Sequence, residues 1–383
     1  MTPKNLTQEQ TKLLDIHDKK NHCVPIKEIE VMAKMGIFDS RLASCQPPEC
    51  VLCMFGCAHK KPWRVKGKEK HLIRSKSEMA AGDKKYLNAL TSITPGVIPQ
   101  LSGFLISDCF WAATVFVDHA TSYMYTNLQR GQTQSAYERM ARTFGIIVKK
   151  FQTENGIFAE EGFKRDVSDK NQPISYCGFR AHYQNGIAEA YIKQPTEKAR
   201  TMLIHAKNRW WEVIQPCLWP FALKQAEFNL NNLCLGKSGK SRAENFSVMH
   251  NKINIRHYHT FGCPVYVINA RLQGAGFIQK WDKQARVGAF VRRSPIHAGN
   301  VSPILNLSMG HSSPQFHVVF DETFSTVPSL KNGSIPASWT FICENHRELA
   351  TYKDFNLADL WSKSERESGV KFDIQRDSNS KSF

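Results

Sequence analysis

An α/β domain set between a small Cys/His-rich helical module and a small all-β module is the architecture this sequence predicts. Three observations predict it. Apolar runs of strand length alternate with helical patterns between about residues 78 and 236. Cysteines and histidines crowd the first 60 residues, and short strands punctuated by turns follow residue 255.

The chain has 383 residues, 42% of them apolar, enough to bury cores in two or three domains. Its 51 Lys and Arg against 34 Asp and Glu give a net charge of +17 and a pI near 9.4. That excess favours a polyanionic partner, nucleic acid first, through phosphate neutralisation and counterion release. A membrane is the weaker alternative: no run of about 18 apolar residues exists, and "MTPKNLTQEQTKLL" lacks the apolar core of a signal peptide. A reducing compartment is therefore expected, where the eleven cysteines are thiols or metal ligands rather than disulfides. No small-molecule substrate is expected.

Residues 1–64 form the first module. His17 and His22 have four residues between them, and Cys50 and Cys53 make a C-x-x-C, with a helical "PIKEIEVMAKMGIF" between the pairs. Two nitrogen and two sulfur donors can converge on one tetrahedral Zn²⁺. A redox pair is the competing reading of C-x-x-C, but it calls for a preceding strand, which the pattern lacks. Cys45, Cys57 and His59 compete as ligands. So small a module cannot build a stable core alone, and a closed four-ligand zinc site would contribute folding energy rather than catalysis.

Residues 65–77 are a basic linker. The α/β domain, 78–236, opens with apolar and aromatic strand-like runs through "ATVFVDHATSYMY", followed by a helical "QTQSAYERMARTFG" and a strand "IIVKKF". Two helical segments close it, "QNGIAEAYIKQPTEKARTMLIHAKNR" and "PFALKQAEFNLNNL"; Pro195 is expected to kink or restart the first. Residues 237–254, rich in Gly, Ser and Lys at the start, read as a second linker. Residues 255–327 carry the strands "GCPVYVI", "RVGAFVRR", "SPILNL" and "QFHVVF", and 328–383 read as a largely irregular polar tail.

Two acids stand out. Glu154 precedes an Asn-Gly turn signal at the end of a strand; it is either a solvated turn residue or half of a metal site. Glu189 lies early in a helix, where a carboxylate is commonly a dipole partner. The His/Cys set, the basic linker, "TENGIFA", "AHYQNGIAEAYI", "ARTMLIHAKNRWWE", "HTFGCPVYVI" and "SPQFHVVFDETFST" resemble, in order, successive landmarks of the integrase of copia-type LTR retrotransposons, over roughly residues 12 to 327.

The resemblance implies an RNase H-like core, a mixed five-stranded sheet with flanking helices, followed by a small β-barrel. It also implies three carboxylates holding two Mg²⁺ or Mn²⁺ ions for 3′-end processing and strand transfer. Two cations about 4 Å apart need anionic oxygens, and together they activate the nucleophile and stabilise the leaving oxygen. Glu189 matches the third acid. Glu154 stands at the second, where the family has Asp, and Asn88 in "GDKKYLNALTS" aligns with the first. The extra methylene at Glu154 displaces its oxygens by roughly 1 Å, a shift that can reduce catalysis about 100-fold. Asn88 removes a charge outright. Asp83 is a minor substitute, and impaired catalysis is expected.

Three readings compete: an active integrase tolerating the changed acids, a catalytically impaired copy that still binds DNA, and a host-adopted scaffold binding DNA or protein. Lys193 shares a helical face with Glu189 and either reaches a phosphate or is merely solvated. Arg286, Arg292 and Arg293 mark the β module as a DNA-backbone contact. Trp281 and Phe290 are expected in its core rather than stacking on bases, and Trp210, Trp211 and Trp219 around the last core helices. The resemblance further implies double-stranded DNA as partner, a homo-oligomer, and, with the basic run "KKPWRVKGKEK", a nuclear location.

Overall fold

The computed structural model describes residues 6–58, 90–96, 112–129, 134–153, 161–176, 186–236, 239–247, 257–273, 276–294, 297–330 and 335–344. Helix α1 (Gln8–Lys19) begins at a capping box: the Gln10 amide donates to the Thr7 hydroxyl at 3.2 Å, and the Thr7 amide donates to the Gln10 side chain at 3.0 Å. Leu13 and His17, one turn apart, face inward. The chain leaves through Asn21 and His22, both at φ 56°. Left-handed backbone at two successive non-glycine residues needs outside support. Asn21 supplies it, donating to the His259 carbonyl at 2.9 Å and accepting from the Phe261 amide at 2.5 Å.

Helix α2 (Ile26–Lys34) buries Ile29, Met32 and Ala33, the i, i+3, i+4 face of the predicted helix. Helix α3 (Val51–Cys57) starts directly after Cys50. The module does not stand alone. Leu13, Val24, Ile29, Met32 and Leu42 form one apolar cluster with Leu233 and Tyr258, far along the chain.

The central domain is the expected mixed five-stranded sheet. Strands β1 (Leu90–Gly96), β2 (Ala112–Asp118) and β3 (Met124–Gln129) form an antiparallel meander. Helix α4 (Gln134–Thr143) leads to β4 (Lys150–Thr153), parallel to β1, and α5 (Glu161–Asp169) to β5 (Ile174–Tyr176), parallel to β4. The order is β3-β2-β1-β4-β5. Phe116 and Phe151 on one face meet Tyr137 and Ala141 of α4 and Phe163 and Val167 of α5. β2 is buried on both faces, so its apolar residues run without alternation. β4 starts later than "IIVKKF" suggests, leaving Ile147 exposed.

Helices α6 (Gly186–Arg209) and α7 (Trp219–Asn232) belong to the cluster that includes Ala113 of β2. α6 continues through Pro195, so the helix does not restart there. A proline inside a helix removes one hydrogen bond, and this one is buried in a helix packed along most of its length. α7 covers edge strand β3 with polar groups: Asn231 exchanges bonds of 3.1 and 2.7 Å with the Met124 backbone, and Glu227 accepts from the Thr126 amide at 3.1 Å.

The predicted linker 237–254 contains helix α8 (Arg242–Ser247), begun by a Ser241/Glu244 capping box. Its Phe246 stacks on Tyr123 at 4.3 Å. The β module comprises β6 (Pro264–Ile268), the short α9 (Ala270–Gln273), β7 (Ala285–Phe290), β8 (Ser302–Asn306), β9 (Ser312–Gln315) and β10 (Val318–Phe320), paired antiparallel in the order β10-β6-β7-β8-β9. Among the described residues β9 and β10 are its edges, with no pairing between them. The module shares its core with the central domain: Val265, Phe290 and Leu305 join Trp210, Ile214 and Phe221 in one cluster. Gly262, at φ 75°, permits the close approach, since a Cβ there would lie 2.7 Å from Ala206 Cβ.

The segment predicted as an irregular tail also contributes. After α10 (Val327–Leu330), helix α11 (Ala337–Glu344) inserts Trp339, fully buried, whose Nε1 donates to the Val213 carbonyl at 3.1 Å. The polarity of residues 328–383 hid the apolar periodicity of "ASWTFIC". Trp210 is buried as expected, Trp219 partly so, whereas Trp211 is exposed. No helix among the described residues is long and apolar enough to cross a membrane.

Candidate metal centre and the predicted acidic positions

The four residues singled out by spacing come together. His17, His22, Cys50 and Cys53 each offer a donor atom, all within 4.8 Å of one another. α1 and the left-handed residues after it set the histidines, and the start of α3 sets the cysteines. His17 Nε2 lies 3.2 Å from Cys53 Sγ, and His22 Nδ1 lies 3.5 Å from Cys50 Sγ. Nitrogen and sulfur sharing one tetrahedral Zn²⁺ stand about 3.6 Å apart, so the arrangement fits a zinc ion. Both histidines are buried, and both use their remaining nitrogen. His17 Nδ1 bonds the Val24 carbonyl at 2.8 Å, and His22 Nε2 lies 2.5 Å from Nδ1 of His205 on α6. Such outer contacts orient metal-binding imidazoles and fix their tautomers.

The protonation pattern suits a soft cation. Cys53 donates a hydrogen bond that holds the Cys50 thiol well below its ordinary range, with His17 and His22 acting in the same direction. The same bond raises Cys53. Burial lowers His22 and pushes His205 down to about 2, keeping both rings neutral. Cys45 and Cys57, the competing ligands, lie outside this group, and His59 lies outside the described residues.

The acidic positions are only partly visible. Asn88 and Glu154 lie outside the described residues, as does Asp83. Asn88 is two residues before β1, and Glu154 directly follows β4. Among the described residues the parallel pairing of these strands ends with Ile93 beside Thr153. Glu189 is exposed on the first turn of α6. Lys193, one turn on, pairs with Glu197 at 3.6 Å, an exposed lysine against a half-buried carboxylate.

The cations predicted on the β module are more enclosed than expected. Arg286 and Arg292 are half-buried, and burial lowers the Arg286 guanidinium. Arg293 lies over the rings of Phe228 and Tyr258, at 5.2 and 5.5 Å. Trp281 reverses its expectation: it is 91% exposed and Phe277 80%, whereas Phe290 is fully buried as expected. Lys280 lies over the Trp281 ring at 5.3 Å, with Lys283 exposed nearby in sequence. This aromatic and basic loop was missed, although "GFIQKWDKQAR" already interleaves cations and rings.

No family model matches the chain. Among solved structures, the chain is similar to one of a simian T-cell lymphotropic virus intasome in complex with PP2A regulatory subunit B56 gamma, at 12% identity and a TM-score of 0.32, covering 61% of this chain and 78% of that one. It is also similar to the HTLV-2 integrase catalytic core domain in complex with magnesium, in dimeric form, at 16% identity and a TM-score of 0.30, covering 42% of this chain and 96% of that one.

Proposed function

We propose that this chain is the DNA-integration module of a copia-type retrotransposon, with a zinc-stabilised N-terminal module, an RNase H-like core and a small barrel-like C-terminal β module. The observation that carries the reading is the union of two patterns: a His₂Cys₂ cluster, and after it the sheet order β3-β2-β1-β4-β5 with Glu189 opening the following long helix. The ordered sequence landmarks support the same reading. His17, His22, Cys50 and Cys53 hold Zn²⁺. Asn88, Glu154 and Glu189 occupy the catalytic positions, with Glu154 and Glu189 the remaining anions for Mg²⁺ or Mn²⁺. Such ions, when bound, activate a water or 3′-hydroxyl and stabilise the departing oxygen.

Two anions in place of three leave the cations undercompensated. The reading is accordingly of impaired 3′-processing and strand transfer with DNA binding retained. A host-adopted, non-catalytic DNA- or protein-binding scaffold is the second reading, favoured by an intact zinc set beside an altered acid set. The DNA face combines Lys193, Arg286, Arg292 and Arg293 with the exposed Phe277, Lys280, Trp281 and Lys283. Joining two DNA ends calls for a homo-oligomer, and the substrate calls for the nucleus.

The test is fluorescence anisotropy with duplex DNA of several sequences. Affinity is expected to fall by orders of magnitude between about 50 and 200 mM salt, with little dependence on sequence. The double variant Phe277→Ala, Trp281→Ala is expected to bind several-fold more weakly. Binding insensitive to salt would contradict the DNA reading and favour a protein partner.

A further inference from the structure

His205 was not among the predicted ligands, yet its Nδ1 lies 2.5 Å from His22 Nε2, with both rings buried. Asp18, His22 and His205 also offer donor atoms within 4.8 Å of one another, a spacing that by itself would suit a second cation. Two nitrogens on one tetrahedral Zn²⁺ stand about 3.3 Å apart. At 2.5 Å the two nitrogens stand too close for a metal bound to both. Asp18 is engaged as well, 3.3 Å from Arg209. The contact is therefore a hydrogen bond. Since His22 Nδ1 faces Cys50 Sγ, Nε2 carries the proton and His205 Nδ1 accepts it.

His205 belongs to a stripe on α6. Lys198, Thr201, His205 and Arg209 are spaced three, four and four residues apart, along one face of the helix. Lys198 donates to the His22 carbonyl at 2.6 Å, and Arg209 meets Asp18. Thr201 packs so close to Gly56 that a Cβ there would overlap its hydroxyl, and neighbouring Arg200 donates to the Gly56 carbonyl at 3.0 Å. These contacts all reach the zinc module, while His205 and Arg209 also meet the Phe324 ring, at 6.0 and 5.7 Å. Beneath it, the Cys234 thiol donates to the Cys23 carbonyl at 3.5 Å.

We propose that His205 is the positioning residue that holds His22 for zinc, so that metal occupancy latches the N-terminal module onto α6. The inference rests on the zinc reading above and adds a partner surface to it. The latched helix presents Glu189 on its first turn, which joins the structural metal to the helix bearing the third acidic position.

The test uses the full chain, with the variants His205→Phe and His205→Asn. Zinc affinity is measured by competition with a chromophoric chelator, and docking by alkylation of Cys234, with the fully buried Cys263 reporting global unfolding. His205→Phe is expected to lose about 10- to 100-fold in zinc affinity. His205→Asn, whose amide oxygen accepts the same hydrogen bond, is expected to stay closer to the natural chain. Stripping zinc from the natural chain is expected to accelerate labelling of Cys234 at least 10-fold while Cys263 stays protected. Equal zinc affinity in all three proteins, or Cys234 still protected after stripping, overturns the latch and leaves the zinc site standing. A natural chain that binds no zinc overturns the zinc reading and the latch with it. The stripping arm introduces no substitution, so misfolding of His205→Phe does not remove the test.

Discussion

Trp339→Ala tests whether α11 is part of the core. The side chain is fully buried, and a tryptophan of that kind removes up to about 250 Å² from water, worth about 6 kcal/mol at 25 cal/mol per Å². A compact unfolded chain lowers that by 10–40%, and alanine recovers a fraction, leaving roughly 3–5 kcal/mol. The Val213 carbonyl also loses its donor, about 1 kcal/mol of that total. Val213 follows α6 and clusters with residues of the β module, so the loss is shared by both. Urea denaturation followed by tryptophan fluorescence and far-UV circular dichroism gives the value. Trp339→Phe keeps most of the ring and loses the hydrogen bond, and is expected at about half the alanine effect. A loss below about 1 kcal/mol for Trp339→Ala, with an unchanged slope, would refute the packing argument.

Cys50→Ser removes one of four ligands and is expected to abolish stoichiometric zinc and lower the thermal midpoint. A metal present at about 100 times its Kd contributes about 2.7 kcal/mol of stability. Unchanged zinc content by atomic emission would remove the zinc site. Asp321 predicts an acid limb. Burial alone would raise its carboxyl, but bonds from the Thr326 amide and hydroxyl, with Ser325 and Thr323, outweigh it and hold it at about 2. A carboxylate depressed on folding contributes stability that is present above its ordinary pKa and lost as pH falls from about 4 towards 2. Asp321→Asn should therefore be less stable at neutral pH and lose less of its stability across that window; identical acid limbs would contradict the assignment.

The His17/His22/Cys50/Cys53 cluster was legible because metal-ligand spacing leaves a motif in the sequence itself. The core's strand and helix order was legible for a similar reason, since β2 and α6 carry strong apolar patterns. What the sequence hid depends on distant partners. α6 continues through Pro195 because packing holds the helix, and Trp339 is core because Val213 waits for it. The seat of Arg293 over Phe228 and Tyr258 depends on residues 65 and 35 positions away and has no local signature. Trp281 looked like core because large rings usually are, yet no apolar neighbour closes over it. His205 carried no motif at all. Its role arises from α6 passing within hydrogen-bond reach of a ligand 183 positions earlier.

On the proposed reading, two altered acids limit the chemistry of a DNA-integration module. The most direct measurement is strand transfer with Mn²⁺, using an oligonucleotide that carries the element's terminal sequence, for the natural chain and for the double variant Asn88→Asp, Glu154→Asp. Joined DNA ends are expected from the repaired variant, and at least about 100-fold less from the natural chain. Equal joining by both proteins would contradict the charge argument, and no joining by the repaired variant would contradict the assignment of Asn88 and Glu154 as the altered acids.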